Sequence, residues 1–595
     1  MEKGINNADI LTYGTFNNKQ LFFIQRWLEL LNVNTHSKYS ARYLNSHQAL
    51  REVLYVCEGM LNEEIKNNDH HLKLVFDEAN EIINTDGLLK EKAENYFKII
   101  SNSLKSCPKA NQQSKLYSIV YQLGYVLRHL ERNYLIWIVE ELKSYILAQD
   151  VEDQNKCTEF EKIEALMLSL VSELLGKGWS SKRLYELIRE EILRHYDADK
   201  WEGFFNAILG EKNEYVCLFQ VTESISKLLK AKFNKFRLEL LVGDSVLSTY
   251  TDGSLSSHIS PSKTYIRVIS RAYDVHSAIN GAWQEITDKM DILRFYGYRM
   301  PDINKSPIVI NPDGKHFTRN ITVSLVSNKK KYLAPDSIID VVWGQLNRAK
   351  GNPLNRKINS LFEFSRISEE SLAPQSTFLN LWIGLESFVQ TKEKDGGIEN
   401  VKMVVGATSS HNYIYSLVKN FLEDCNRCNV QIIEKGNENP IYIGHIKANE
   451  AIYLLLDESK SSIIMESCDD LNTLLGYRFR QLKAILNDGR KASKVIETHK
   501  ENVTRHIQRL YRIRNSIVHS AQVHYNINLF IKHLSEYVKS TMSVVLHRLE
   551  SNDYDTLEQV FALVRDSVDT TIEVLKSSNN LEKEAYYNLL LKGAF

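Results

Sequence analysis

The sequence has little that would interrupt a helix and little that would staple a chain. Its 595 residues include 9 Pro and 25 Gly, both below their usual shares of about 5% and 7%, so long helices can run unbroken. The seven Cys, at 57, 107, 157, 217, 425, 428 and 468, are odd in number and scattered. They are too sparse for a disulfide framework and suit a reducing cytoplasm. Net charge is absent, 74 Lys+Arg standing against 74 Asp+Glu, which excludes a globally basic nucleic-acid binder but not a local patch. No window approaches the roughly 18 apolar residues of a spanning helix, and the opening MEKGINNADILTYGTF lacks the apolar stretch of a secretory leader. The expectation is a cytoplasmic protein without membrane contact. Also missing are a G-x-x-x-x-G-K-[ST] phosphate loop, an H-E-x-x-H helix, a G-x-S-x-G elbow and a G-x-G-x-x-G turn after a strand. Their absence argues against a nucleotide-driven motor or a zinc protease, and no cofactor is expected.

What is present is an ordinary globular composition, 43% hydrophobic and 25% charged, over a length that suggests about three or four domains. The fold class expected is mainly α, in three parts. Residues 1–213 read as successive amphipathic helices. In Leu116 to Ala148, for example, Ile119, Leu123, Val126, Leu127, Leu130, Tyr134 and Ile138 recur at helical spacing. A second helix, Phe160 to Leu175, stops at Gly176-Lys177-Gly178, and Ser180 or Ser181 can cap the next.

Residues 214–345 are richer in short β runs: Tyr215 to Val221, Phe236 to Leu241, Tyr265 to Ile269 and Ile292 to Tyr296, with helical runs near 222–232 and 275–290. That order is the one found in a split βαβ, ferredoxin-like unit, a possible sensor domain. Ile308 to Ile310 and Ile321 to Val323 flank Asn311-Pro312-Asp313-Gly314, a turn that would close a hairpin. Residues 346–595 return to helices.

Two weaker motifs need weighing. Cys425-Asn-Arg-Cys428 is a single C-x-x-C, and His411, His445 and Cys468 complete a zinc set only if the fold gathers them, so helix-end cysteines are the simpler reading. Pro301-Asp302 with Asp313-Gly314-Lys315 loosely resembles the PD-(D/E)xK pattern of metal-dependent nucleases. That chemistry wants the second acid and the Lys on a strand, whereas Asp313-Gly314 reads as a turn.

The informative stretch is Leu510 to Ser520, LYRIRNSIVHS, in a helix predicted from about 499 to 522. Val503, Ile507, Leu510, Ile513, Ile517 and Ala521 fall on one stripe and should be buried, leaving Arg512, Asn515, Ser516 and His519 on the opposite, accessible face. Eleven Lys/Arg against three acids between Arg478 and Arg514 give an excess of eight, a footprint suited to phosphates.

Arg514-Asn515-Ser516-Ile517-Val518-His519 resembles the R-N-x-x-x-H motif of HEPN-domain ribonucleases. Thr377 to Val389, TFLNLWIGLESFV, is similar to the opening helix of the HEPN bundle in large bacterial anti-phage and abortive-infection proteins. The resemblance covers about 345–595. It implies a metal-independent endoribonuclease that cuts RNA by attack of its own 2′-hydroxyl. His519 would exchange the protons, Arg514 hold the phosphate and Asn515 bind the phosphate or fix the imidazole. It also implies RNA as substrate, a homodimer or higher even assembly with both motifs in one cleft, and restraint by the N-terminal part until a phage-derived trigger arrives. A non-catalytic HEPN module for dimerisation or RNA binding is the alternative. In an unbroken helix Arg514 and His519 would diverge by about 140°. A shared cleft therefore requires a distortion or a long reach: Arg514 would snorkel from the bundle edge or, if buried, pair inward with Glu386, and Arg512 is the rival for the catalytic arginine.

Overall fold

The computed structural model describes residues 5–32, 44–65, 67–148, 156–194, 199–222, 225, 227–250, 255–312, 317–318, 321, 323, 339–340, 343–344, 353–371, 373–392, 397–433, 440–520, 527–551, 556–578 and 581–591. Among the described residues helices dominate, with a five-stranded sheet in the middle of the chain and a two-stranded one pairing Gln431–Ile432 with Ile441–Tyr442. Among the described residues no helix is long and apolar enough to cross a membrane.

Ten helices form the N-terminal part: α1 (Asn7–Leu11), α2 (Asn18–Leu31), α3 (Ser46–Leu61), α4 (Asp69–Thr85), α5 (Gly87–Lys92), α6 (Glu94–Lys105), α7 (Gln113–Leu147), α8 (Lys156–Lys177), α9 (Ser181–Glu191) and α10 (Lys200–Ile208). Asn side chains cap α2, α3 and α4 by accepting a backbone N–H one turn on. The periodic residues of α7 are buried as the spacing requires. Gly178, at φ +107°, ends α8, and Ser180 caps α9. α2 runs through the centre with Phe22, Phe23, Ile24 and Trp27 fully buried.

The central sheet has the order β2-β3-β1-β4-β5, every pairing antiparallel, where β1 is Asn213–Val221, β2 Glu239–Val242, β3 Thr264–Ala272, β4 Ile308–Ile310 and β5 Phe317–Thr318. Helix α11 (Lys227–Lys235) joins β1 to β2, a short α12 (Gly243–Thr249) follows β2, and α13 (Val275–Phe295) joins β3 to β4. The strand expected at Ile292 to Tyr296 is instead the end of α13. Met290 and Leu293 continue its buried stripe, and Gly297, at φ +82°, closes it while Tyr298 N–H bonds Leu293 O. The sheet strand is Ile308–Ile310. Its hairpin partner is not Ile321 to Val323 but Phe317–Thr318, Ile310 facing Phe317. The turn residues Asp313, Gly314 and Lys315 lie outside the described residues.

The C-terminal part holds α14 (Pro353–Glu370), α15 (Pro374–Val389), α16 (Gly397–Ser410), α17 (Tyr413–Cys428), α18 (Ala448–Leu456), α19 (Glu458–Leu471), α20 (Thr473–Leu486), α21 (Gly489–Asn515), α22 (Ile527–Ser551), α23 (Leu557–Lys576) and α24 (Lys583–Leu590). One apolar cluster joins α14, α15, α16, α22 and parts of α21 and α23. A second joins α17 to α20 with the N-terminal half of α21 and the C-terminal half of α23. The two ends of the sequence meet: Leu474 and Tyr477 of α20 belong to the N-terminal core. Gln25 accepts from Leu474 N–H at 2.9 Å, and Asn7 Nδ2 donates to Asp469 O at 2.9 Å.

Candidate active site

α21 starts at Asp488, whose carboxylate accepts from the N–H groups of Arg490 and Lys491. It is 27 residues long. Val503, Ile507, Leu510 and Ile513 are buried as the spacing demands, and Ile517 packs partly against the same cluster. Ala521 lies outside the described residues.

The opposite face is not the solvated surface that the pattern suggests. Arg509 donates through Nε to Glu52 at 2.6 Å and through Nη2 to Glu78 at 2.8 Å. Arg512 pairs with the other oxygen of Glu52. Arg505 reaches Glu81 at 2.7 Å. Gln508 contacts the His71 ring, which also lies 6.0 Å from that of Tyr511. Helices α3 and α4 therefore cover this side of α21. The side chains of Arg509 and Arg512 are each only 5% exposed, so Arg512 is a structural cation and not an accessible rival to Arg514. Two guanidiniums taken from water need a counter-charge nearby, and Glu52 supplies it to both.

The charges respond accordingly. Burial pushes the Glu52 carboxyl up, but the adjacent Arg509 and Arg512 outweigh it and hold the group below the carboxylate range. Burial would likewise depress Arg509, yet Glu52 and Glu78 raise it. His71 is lowered to about 4, first by burial and then by Arg512, Lys402 and His70.

The rest of the basic excess is similarly committed. Arg478 pairs with Glu29 at 3.1 Å and Glu164 at 3.6 Å, in a buried network with Arg26. Arg480 pairs with Asp469 and Lys500 with Asp569. Six of the eleven cations between 478 and 514, namely 478, 480, 500, 505, 509 and 512, thus sit in ion pairs. Much of the apparent phosphate footprint is an internal clamp.

The motif itself lies where α21 changes character. After Asn515 the chain makes a π turn over Ser516–Ser520, with Ser516 N–H shared between Arg512 O and Ile513 O. In such a turn the hydrogen bonds run from i to i+5, so residues five apart approach the same face, as residues four apart do in an α-helix. Arg514 and His519 are five apart. The turn begins at Ser516, so the chain departs from straight-helix geometry over the latter part of the interval from Arg514 to His519.

Arg514 is half-buried and donates through Nη1 to Asn515 Oδ1 at 3.0 Å, while its Nε is buried without a hydrogen-bond partner. It is not paired with Glu386, which accepts from Trp382 Nε1 at 3.0 Å. Asn515 and Ser516 are half-buried and His519 is exposed. Arg514 and Asn515 thus lie bonded to each other at the end of α21 and His519 in the turn that follows, whereas Arg512 is enclosed against Glu52.

Sequence reasoning missed Glu52, Glu78, Glu81 and His71. The only signal was that Glu78 and Glu81 share a helix face, which does not say what they face. It also missed His506 and His533, whose rings lie 5.0 Å apart inside the bundle, His506 bonding Tyr537 at 3.1 Å. Both are sealed from solvent. Cys425, Cys428 and Cys468 are buried in the second C-terminal cluster, and burial pushes the Cys428 thiol up to about 12. Among the described residues, no group of three or more His, Cys, Asp or Glu side chains is placed to hold a metal ion. Comparison with known protein families, with curated proteins and with solved structures finds no match to this chain.

Proposed function

We propose that this chain is a metal-independent endoribonuclease of the HEPN type, acting as a regulated toxin in bacterial anti-phage defence. The observation that supports the reading is the π turn over Ser516–Ser520, which interrupts the straight-helix spacing of Arg514 and His519 and carries an imidazole open to solvent. His519 exchanges a proton with the RNA 2′-hydroxyl or the departing 5′-oxygen, a role an imidazole fills near neutral pH. Arg514 holds the phosphate and offsets the charge that builds on its oxygens, and the Asn515 amide keeps the guanidinium oriented. Because the attacking group belongs to the RNA, DNA is not a substrate. A homodimer brings a second imidazole to the same cleft, one for each proton transfer.

The N-terminal helices fit the role of restraint. Glu52, Glu78 and Glu81 grip the helix that carries the motif, and a phage-derived trigger acting on that part would alter the site through α21. On its strand order the central domain reads as ferredoxin-like.

The test is purified protein with labelled RNA, with and without chelator, as wild type and His519→Ala, alongside growth on induction. The reading expects cleavage indifferent to chelator and lost in His519→Ala. Cleavage retained in that variant sinks it, and loss with chelator favours the metal-dependent alternative around Asp302 and Asp313. The burial of Arg509 and Arg512 in ion pairs favours one second reading, a non-catalytic HEPN module in which α21 is a docking helix.

A further inference from the structure

α7 carries an outward stripe that packing does not explain. Tyr117, Tyr121 and Tyr125 are 60%, 81% and 54% exposed. They follow at intervals of four residues, so their rings step about 6 Å along the axis while turning about 40° each time. Arg128 and Arg132 fall within the same sector and are exposed; among the described residues neither has a carboxylate partner. From Gln113 to Leu130 the helix has no Asp or Glu.

The stripe is broadened on one side by further rings. Tyr96 of α6 lies 6.0 Å from Tyr125 and stacks on His129 at 4.2 Å, and His129 is 5.6 Å from Trp137. Gly124 sits beside Tyr121 and Tyr125 with open space where a Cβ would be. A glycine in the middle of a long helix lowers its stability.

At its C-terminal end the stripe runs into a cleft of about 660 Å³ between α7, the end of α8, the end of α10 and the edge of β3. Arg132, Lys177, Lys212 and Arg271 line it with Trp179 and Tyr273. Trp179 and Tyr273 stack at 5.2 Å, and Lys212 Nζ stands 5.4 Å from the centre of the Tyr273 ring. The cleft's acids are Glu131, whose carboxylate reaches Arg51 at 3.4 Å, and Glu211, so cations outnumber carboxylates by four to two. Arg132, Lys212 and Arg271 are in no ion pair among the described residues, whereas Arg505, Arg509 and Arg512 of α21 are spent on carboxylates of the N-terminal helices.

We infer that the tyrosine stripe of α7 and the basic cleft at its end form a binding track for single-stranded RNA. Evenly spaced exposed rings accept bases without regard to sequence, and unpaired guanidinium and ammonium groups take the phosphates. A duplex offers no free base faces, so it is discriminated against. A protein partner would find apolar side chains here, but the unpaired cations at the cleft favour a polyanion. The track deepens the ribonuclease reading by giving RNA a path on the N-terminal part, yet it rests on none of the residues of the Arg514–His519 motif.

The experiment uses full-length His519→Ala protein, so that cleavage cannot distort binding, and a fluorescent oligouridylate of twelve nucleotides read by anisotropy. Tyr121→Ala and the double variant Arg132→Glu, Arg271→Glu should each weaken binding by about tenfold or more, with affinity falling as salt rises. A duplex of equal length should bind less well. Circular dichroism and thermal melting establish that each variant is folded. Unchanged affinity in folded variants, preference for the duplex, or no binding by the parent protein overturns the track. So does a dimer in sedimentation that Tyr121→Ala dissociates while RNA affinity stays the same, which would make the stripe a subunit contact. Binding as expected, alongside a wild-type protein that cleaves no RNA, would leave the track standing and remove only the ribonuclease reading.

Discussion

Arg509 and Glu52, 457 positions apart in the sequence, are joined at 2.6 Å by a charge-assisted hydrogen bond that few water molecules can reach. Glu52 offers its second oxygen to Arg512. One carboxylate of the N-terminal part thus neutralises two cations of the helix that ends in the candidate site.

Glu52→Gln should therefore be among the most destabilising polar substitutions in the protein. Removing the shared partner strips the buried Arg512 of its carboxylate and leaves Arg509 with Glu78 alone, a loss on the order of 3–5 kcal/mol. Urea unfolding checks it. The quadruple variant Glu52→Leu, Glu78→Leu, Arg509→Met, Arg512→Met should recover much of the loss, because it removes both buried cations together with the carboxylates that pair with them. A single substitution costing under about 0.5 kcal/mol, the usual scale of a surface change, would show that water reaches the pair freely.

The outer part of the clamp is gentler and suits a test of restraint. Glu78→Gln with Glu81→Gln leaves Glu52 in place and weakens only the grip on Arg505 and Arg509. Growth of cells expressing this variant should be poorer than with wild type, and His519→Ala should suppress the difference. Equal growth at equal protein level would mean that the clamp is architectural. Deleting residues 1–345 is a poorer probe, since it also strips Leu474 and Tyr477 of their core.

Acid should weaken the protein in two steps. His71 is lowered from 6.5 to about 4, so below pH 6.5 the unfolded chain takes up a proton that the folded one refuses. Stability present above 6.5 is lost as pH falls toward 4. Glu29 is lowered from 4.5 to about 2: burial alone would raise it, and Arg478 and Arg26 overcome that. Its contribution, about 3 kcal/mol, is present above 4.5 and disappears as pH falls toward 2. Urea midpoints from pH 8 to 4 should decline between 6.5 and 4 in wild type, and His71→Asn should remove part of that slope. An identical slope in the variant would show that His71 is as freely solvated in the fold as out of it.

Gly124→Ala should stabilise the protein by about 0.5–1 kcal/mol, since a helix-interior glycine is costly and a Cβ there meets nothing. Thermal melting measures the gain. A lower melting temperature would mean that Gly124 serves the packing of α7.

Local pattern reached far in this chain. The buried positions of α7, the stop at Gly178, the cap at Ser180 and the apolar stripe from Val503 to Ile513 follow from spacing and backbone preference, which act over a few residues. The end of α13 was misread because Ile292 to Tyr296 is as apolar as a strand, and only continuity with Met290 and Leu293 distinguishes the two. The polar face of α21 was misread for a different reason. Arg505, Arg509 and Arg512 have the composition of a solvated surface, and nothing nearby in sequence reveals a partner.

The sequence by itself determined that the chain is mainly helical, which stripe of α7 and of the end of α21 is apolar, and that an arginine, an amide and an imidazole fall within six residues. The tertiary structure alone decided that Arg512 is enclosed against Glu52, that α21 relaxes into a π turn before His519, and that exposed tyrosines on α7 lead into an uncompensated basic cleft. Helical periodicity is written into neighbouring residues, whereas the fate of a charge depends on which distant helix the packing sets against it.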